Sequence, residues 1–333
     1  MRTKMIRRSG AAMFAATAAA ALVLTGCSGP STAASTSDDA LEGYTLKVAD
    51  FPVMELAALY AGRDGDVFAA HDVTLEATQI SGAGAAMIPA AVEGTIDIAP
   101  SNVLSVMVAQ QNGQDVQCFA LITRRPAEGR PLALLTPGDS AIKNAKDLEG
   151  AQVAVNALGG ANDLIVRAWL DSEGVDPESV TLVPTEFPNM GQVLANRNVD
   201  AALTDEPFTT QAIADGASVL EERPYQAIAE TPAFSCWAAT SKTIEERGDA
   251  LAAFVAAMND ANALANGDRD VVTATLVDTM GFAQEVAEEA SVPQFDATIS
   301  VEDLTVWADL AKKYGMLDAD FDAASAVTPV SGD

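Results

Sequence analysis

The sequence predicts an α/β protein built from two similar lobes, and three observations carry that prediction. Strand-like and helix-like segments alternate along the chain. The alternation occurs twice, with the copies about a hundred residues apart. The length of 333 residues is enough for two domains at roughly 150 residues each. Strands alternating with helical segments imply parallel sheets made of right-handed βαβ units, so two copies imply two α/β lobes.

In the first copy, 45–49 reads as an opening strand and 73–76 as its neighbour. A Ser81-Gly82-Ala83-Gly84 loop, a helical run over 85–92, Gly94 and a strand over 96–99 follow. In the second copy, 152–155 opens and 180–183 comes next. Pro188-Asn189-Met190-Gly191, a helical run over 192–196 and a strand over 199–203 complete it. Two further strands, 116–122 and 233–239, fall between the copies and after the second. Beyond them the chain turns helical. Apolar residues at 251, 254, 255 and 258 keep a helical period. Helices are also expected over 270–280 and 301–314, the latter with Ser300 and Asp303 as a capping pair. These late helices are expected to pack on the first lobe.

Charge removes one class of partner. There are 47 acidic and 19 basic side chains, a formal net charge of −28. A nucleic acid would be repelled by such a surface, and no Lys/Arg cluster offers a local exception. The 23 Gly, 15 Pro and 3 Cys are ordinary at this length, which excludes collagen-like, disulfide-dense and disordered classes.

Residues 1–26 read as an export signal. Arg2, Lys4, Arg7 and Arg8 precede an apolar run over 11–23, which is short of the roughly 20 residues a spanning helix needs. The Leu24-Thr25-Gly26-Cys27 that follows resembles the lipobox of bacterial lipoproteins, which implies a lipid on the Cys27 thiol. An ordinary signal peptide with an incidental cysteine is the alternative. Arg7-Arg8 is not followed by the Phe-Leu of a twin-arginine signal. Residues 27–43 are rich in Ser, Thr, Ala and Gly and read as a flexible tether. Loss of the leader removes four basic and no acidic residues, leaving 15 against 47, formally −32.

The order of motifs resembles the substrate-binding proteins of ABC importers, in the branch that binds nitrate, aliphatic sulfonates, taurine or thiamine-precursor pyrimidines. The paired segments 94–99 and 199–202 carry the likeness, as does Asp139-Ser140-Ala141-Ile142 leading to Asp147-Leu148-Glu149-Gly150. Asp205-Glu206-Pro207-Phe208 and Lys312-Lys313-Tyr314-Gly315-Met316-Leu317 extend it, so that it covers about 44–315. The resemblance implies a periplasmic-binding-protein-like fold of type II. Lobe 1 would comprise 44–126 plus 232–326 and lobe 2 would comprise 127–231, joined by two crossover strands around a ligand cleft. It further implies a monomer, anchored by lipid to the outer face of the bacterial membrane, without cofactor or metal. Such a protein delivers a small-molecule ligand to a permease energised by an ATPase. The family topology also places Cys118 and Cys236 side by side. A disulfide between them is permitted outside the cytoplasm, with buried free thiols as the alternative. The opening Asp50-Phe51-Pro52-Val53-Met54 departs from the small or polar residues usual near the ligand, so the solute need not be a sulfonate.

In open α/β sheets ligands bind beyond the carboxyl ends of the strands. That rule selects Phe51, Ser81, Gly82, Ser101 and Asn102 in the first lobe, and Asn156, Gly160, Asn162, Asn189 and Asp205 in the second. Each has a competing structural role. Phe51 either stacks on a ring or joins the core. Ser101 and Asn102 either bind ligand or cap the next helix. The 156–162 loop either binds or simply turns, and Gly159-Gly160 would let a ligand approach the backbone. Asp205 is open between a ligand cation and the fold, while Glu206 is expected to serve the fold. Arg124, Arg125 and Arg130 cluster near the first crossover and could clamp a carboxylate or sulfonate bidentately, with a solvated hinge face the expected alternative for Arg125 and Arg130.

An enzyme on the same scaffold, or a sensor receptor, is the alternative function. His71 is the one histidine, so any His-based triad or zinc site would rest on it alone, and a surface position without a role is expected. The protease, hydrolase and nucleotide-loop motifs are absent, and Met87 breaks the Gly82-Ala83-Gly84 dinucleotide pattern. Helix N-termini at the expected site favour an anion, whereas the acidic background opposes one. A neutral or zwitterionic solute with an acidic head fits both.

Overall fold

The structure is a computed structural model that describes residues 43–50, 53–80 and 84–332. The expected leader, nearly all of the tether with Cys27, and the candidates Phe51, Ser81 and Gly82 lie outside these residues.

Eleven strands occur among the described residues: β1 (Tyr44–Asp50), β2 (Val73–Gln79), β3 (Ala99–Asn102), β4 (Gln117–Arg124), β5 (Leu132–Pro137), β6 (Gln152–Val155), β7 (Thr181–Pro184), β8 (Ala201–Asp205), β9 (Ala217–Glu221), β10 (Ala233–Ala239) and β11 (Gln294–Phe295). In β1, Leu46 and Val48 are buried while Thr45 and Lys47 are exposed, the period-2 alternation of a half-covered strand. Strands β5, β8 and β10 are buried throughout, as expected of sheet interiors covered on both faces.

The strands form two sheet systems. In the first, β1 runs parallel to β2, and a bridge from Val48 to Ile98 ties β1 to the chain entering β3. Beyond it lies the order β11-β4-β10-β3, antiparallel throughout. The second is β7-β6-β8-β5-β9, with β7, β6 and β8 parallel and β5 antiparallel to both its neighbours. Parallel pairing therefore holds only within the two repeated cores. The chain passes between the systems from β4 to β5 and from β9 to β10. A strand that arrives without a helical crossover enters in the opposite sense.

The strand expected over 96–99 begins only at Ala99. The Asp97 carboxylate accepts from the Lys47 N–H at 2.8 Å and pairs with Arg247 at 2.7 Å, so its side chain takes a donor that a ladder would use.

The helix Gly248–Gly267 buries Leu251, Phe254, Val255 and Met258 in one cluster with Leu46, Val48 and Tyr60. Phe254 meets Trp237 edge-on at 5.2 Å, and each such side chain contributes about 1.5–3 kcal/mol on burial. The helix Val301–Lys313 begins in a full capping box made by Ser300 and Asp303. Its buried Leu304, Trp307 and Ala308 share a cluster with Leu104 and Val106 but also with Trp169 and Leu170. Lys313 pairs with Asp171 on the helix Ala161–Ser172. This late helix thus packs on both sheet systems and not on the first alone, because its apolar stripe and its last turn face different neighbours.

Cys118 on β4 and Cys236 on β10 are linked by a disulfide, with their Cα atoms 5.7 Å apart. No helix among the described residues is long and apolar enough to cross a membrane.

Candidate functional site

A cavity of about 520 Å³ opens where the carboxyl ends of strands from both sheet systems converge, within the range usual for small-molecule sites. From the first system it is lined by Asp50, Glu55, Gln79, Ser101 and Asn102. From the second come Asn156, Asn162, Glu186 and Asp205. Phe187, Phe208, Phe234, Met280 and Phe282 supply apolar walls.

Local structure explains most of these placements. Asn102 caps the helix Val103–Gln111 by accepting from the Ser105 N–H at 2.8 Å, which spends its carbonyl oxygen on the fold. Ser101 is 4% exposed and its Oγ has no hydrogen-bond partner among the described residues. Asn162, in the first turn of the helix Ala161–Ser172, is 2% exposed and its Oδ1 is likewise unpartnered. Buried polar atoms in folded proteins are nearly always satisfied, so these two orphans, one from each sheet system, mark positions awaiting a hydrogen-bond partner. Asn162 Oδ1 is an acceptor, and the Ser101 hydroxyl can accept or donate. Phe208 stacks on Phe187 at 6.2 Å and meets Phe282 edge-on at 5.4 Å, giving a continuous aromatic face.

Behind the cavity lies Arg125, wholly buried with 0% side-chain exposure. Its Nη1 donates to Asp205 Oδ1 at 3.1 Å and its Nη2 donates to Asp205 Oδ2 and to Glu55 Oε1, the last at 3.1 Å. The guanidinium sits 3.7 Å from the centre of the Phe234 ring. Burial holds the Asp205 carboxyl well above the usual carboxylate range. Arg125 opposes this, while the neighbouring Glu55 carboxylate adds to it. Asp50 accepts from the Tyr60 hydroxyl and lies 3.7 Å from Arg63 Nη1. Burial, with the Asp50 contact second, raises the Tyr60 phenol.

Of the sequence-derived candidates, Ser101, Asn102, Asn156, Asn162 and Asp205 line the cavity. Gly160 and Asn189 do not. Gly160 is the N-cap of its helix, with φ −106°, and a Cβ there would meet nothing nearer than 3.9 Å, so neither conformation nor space demands glycine. Asn189 falls inside the helix Phe187–Ala195 on an exposed turn, because Pro188 takes an early helical position and moves the helix start to Phe187.

The arginines also differ from expectation. Arg125 is buried instead of solvated, since two carboxylates remote in sequence surround it. Arg124 is held by Asp296 at 2.7 Å and Asp303 at 2.6 Å, so its fork is occupied. Arg130 is half-buried, with its backbone N–H donating to Ser291 Oγ at 3.1 Å. Glu206 accepts from Thr210 and from the Ser291 N–H and serves the fold. His71 lies away from the cavity, 2.7 Å from Asp260.

Sequence reasoning missed Glu55, Glu186 and the aromatic wall. The Glu186-Phe187-Pro188 run, with proline marking the helix start, was a usable signal for the first turn of that helix. Phe282 had none, since only the chain's return brings it near Phe208.

Two sheet systems joined by two crossings, with a polar and aromatic cavity at the strand ends of both, define a bilobal periplasmic-binding-protein fold. The chain belongs to the NMT1/THI5-like family, whose match spans residues 54–270. The bicarbonate-binding protein CmpA of Synechococcus elongatus is 27% identical over 235 residues, 60% of this chain and 52% of that protein. The chain thus spans about half the length of that curated relative. Among solved structures, the alkanesulfonate-binding protein SsuA of Xanthomonas axonopodis pv. citri, bound to MOPS, superposes with a TM-score of 0.74 at 18% identity. That match covers 87% of this chain and all of the other. The desulfurization enzyme DSZB shares the fold with a TM-score of 0.62 at 17% identity, over 86% and 96% of the two chains.

Proposed function

We propose that this chain is the extracytoplasmic solute-binding component of an ABC importer. It captures a small molecule between its lobes and delivers it to a membrane permease driven by an ATPase. The observation that carries this reading is the cavity itself, with orphaned Ser101 Oγ and Asn162 Oδ1 contributed by opposite sheet systems. A ligand that bonds both gains affinity only when the lobes meet, so it favours the closed arrangement.

The lobes are 44–126 with 232–326 and 127–231, and the ligand contacts are Ser101, Asn102, Asn156, Asn162 and Asp205. The leader directs export, and lipid on Cys27 holds a monomeric body at the outer face of the membrane through the 27–43 tether. The protein acts by binding and not by chemistry. Its one histidine bonds Asp260 on the surface, and among the described residues the polar groups lining the cavity form no nucleophile–base pair. The shared fold of DSZB is the reason to test this directly.

A thermal-shift screen of anions, sulfonates, amino acids and vitamin precursors, followed by product analysis of each hit, tests the reading. A bound solute recovered unchanged, which raises ATP hydrolysis by the reconstituted cognate permease and ATPase, supports it. Turnover of the solute, or no stimulation, refutes it.

A further inference from the structure

The charge and shape of the cavity say more than that a solute enters it. Four carboxylates line the walls: Asp50, Glu55, Glu186 and Asp205. No lysine, arginine or histidine lines them among the described residues. The two guanidiniums within reach are already engaged, Arg125 by Asp205 and Glu55 and Arg63 by Asp50. An incoming anion would find neither a free cation nor a way to displace these partners, because Arg125 is wholly buried behind them.

Nor do the helix N-termini at the cavity offer a bare anion site: at the helix Val103–Gln111 the Asn102 side chain already accepts from the Ser105 N–H at 2.8 Å. The helix Phe187–Ala195 opens on the cavity with Glu186 as its N-cap residue, and no side chain caps it. The Glu186 carboxylate is exposed and has no hydrogen-bond or ion partner among the described residues. In the helix Ala161–Ser172 the first turn carries Asp163, which accepts from the Gly159 N–H at 2.8 Å. Glu186 thus places a carboxylate at the terminus of Phe187–Ala195, while at that of Ala161–Ser172 Asp163, itself paired with Arg167 Nε at 2.5 Å, already occupies the Gly159 N–H. The remaining lining is neutral, part aliphatic and part polar, and includes the aromatic Phe187–Phe208–Phe282 face beside Glu186. The unpartnered Asn162 Oδ1 is an acceptor suited to an N–H donor, and the Ser101 hydroxyl can accept from one as well as donate.

We infer that this cavity takes an organic cation, a protonated amine or quaternary ammonium carried on a flat apolar body, with Glu186 as its counter-charge. The aromatic face supports the body by stacking and the cation by its ring quadrupoles. This rests on the binding-protein reading and specifies its ligand class. It sets the chain apart from the bicarbonate and alkanesulfonate specificities named for its relatives.

Titration calorimetry with three matched probes decides it: benzylamine, benzyl alcohol and phenylmethanesulfonate, which share the ring and differ in charge. The expected order of affinity is amine, alcohol, sulfonate, with about a tenfold gap between the first and last. Glu186→Gln should weaken benzylamine by about threefold and leave benzyl alcohol unchanged. The inference is overturned if phenylmethanesulfonate binds as tightly as benzylamine, if the amine binds no better than the alcohol, or if no probe binds. A tight sulfonate would sink the cation assignment while leaving the importer reading intact. That reading fails separately, on the transporter-stimulation assay.

Discussion

Arg125 and Asp205 face each other across 80 residues of sequence and form a two-pronged buried ion pair, with Nη1 3.1 Å from Oδ1 and Nη2 on Oδ2. Arg125 directly follows β4 and Asp205 ends β8, while Glu55 joins from the segment after β1. One guanidinium thus ties the two sheet systems together directly behind the cavity. Because the pair is dehydrated, removing one partner strands the other in a low-dielectric site.

Arg125→Ala should therefore lower the unfolding free energy by about 3–5 kcal/mol, seen as a lower urea midpoint. A loss below about 1 kcal/mol, the scale of an exposed pair, would contradict the burial described here.

The same pair sets a pH dependence. The Asp205 carboxyl holds its proton well above the ordinary value of 3.8, so the folded state binds more protons than the unfolded state above that value. Its contribution is full below the unfolded value and is lost as pH rises through the raised one. Asp205→Asn lacks this slope. The stability margin of wild type over the variant should narrow as pH rises from about 4 in urea melts. A widening margin would reverse the sign.

Asp303 behaves oppositely. Burial raises it, but hydrogen bonds from Arg124 and Ser300 outweigh burial and leave it below 3.8. Its contribution is present above the unfolded value and is lost as pH falls through the lowered one. Asp303→Asn should lose stability near neutral pH, with the deficit shrinking on acidification. Melts at about pH 3 and about pH 7 test this.

The orphaned acceptors predict opposite signs for stability and binding. Ser101→Ala removes a buried hydroxyl that has no partner among the described residues, so the unliganded protein should gain up to about 1 kcal/mol. The same change should weaken the solute that raises the melting temperature by about fivefold. Parallel thermal melts with and without that solute read both effects. Loss of stability without loss of affinity would remove Ser101 from the site.

The Cys118–Cys236 bond closes a separation of 118 residues, which in the chain-entropy account contributes about 4–5 kcal/mol. Denatured but unreduced protein should show no free thiol at either position by peptide mapping. Reduction should lower the melting temperature. Labelling of either cysteine before reduction would show that the bond is not formed.

Much of the fold was legible because it is written locally. The alternation at Leu46 and Val48, the glycine and proline punctuation, and the Ser300–Asp303 capping box depend on residues within a few positions of one another. Loop positions at strand ends were legible by rule, which found Ser101, Asn102, Asn156, Asn162 and Asp205. The rule overshot at Asn189, because the helix starts at Phe187, five residues before the expected run at 192, and carries Glu186, Phe187 and Pro188 to the cavity instead. It was blind to Phe282, whose place depends on where the late chain returns.

The sequence by itself determined the two repeated α/β cores, the acidity that excludes nucleic acid, and the family likeness, since these rest on composition, short-range period and motif order. Tertiary structure alone decided the electrostatics of the cavity. Whether Arg125 is solvated or buried depends on Glu55 and Asp205, which lie 70 and 80 residues away. Charge near a ligand is set by which partners have already neutralised it, and that pairing is a property of contact in space. A row of residues shows the arginine and the four carboxylates; only the folded chain shows that the arginine is spent and Glu186 is not.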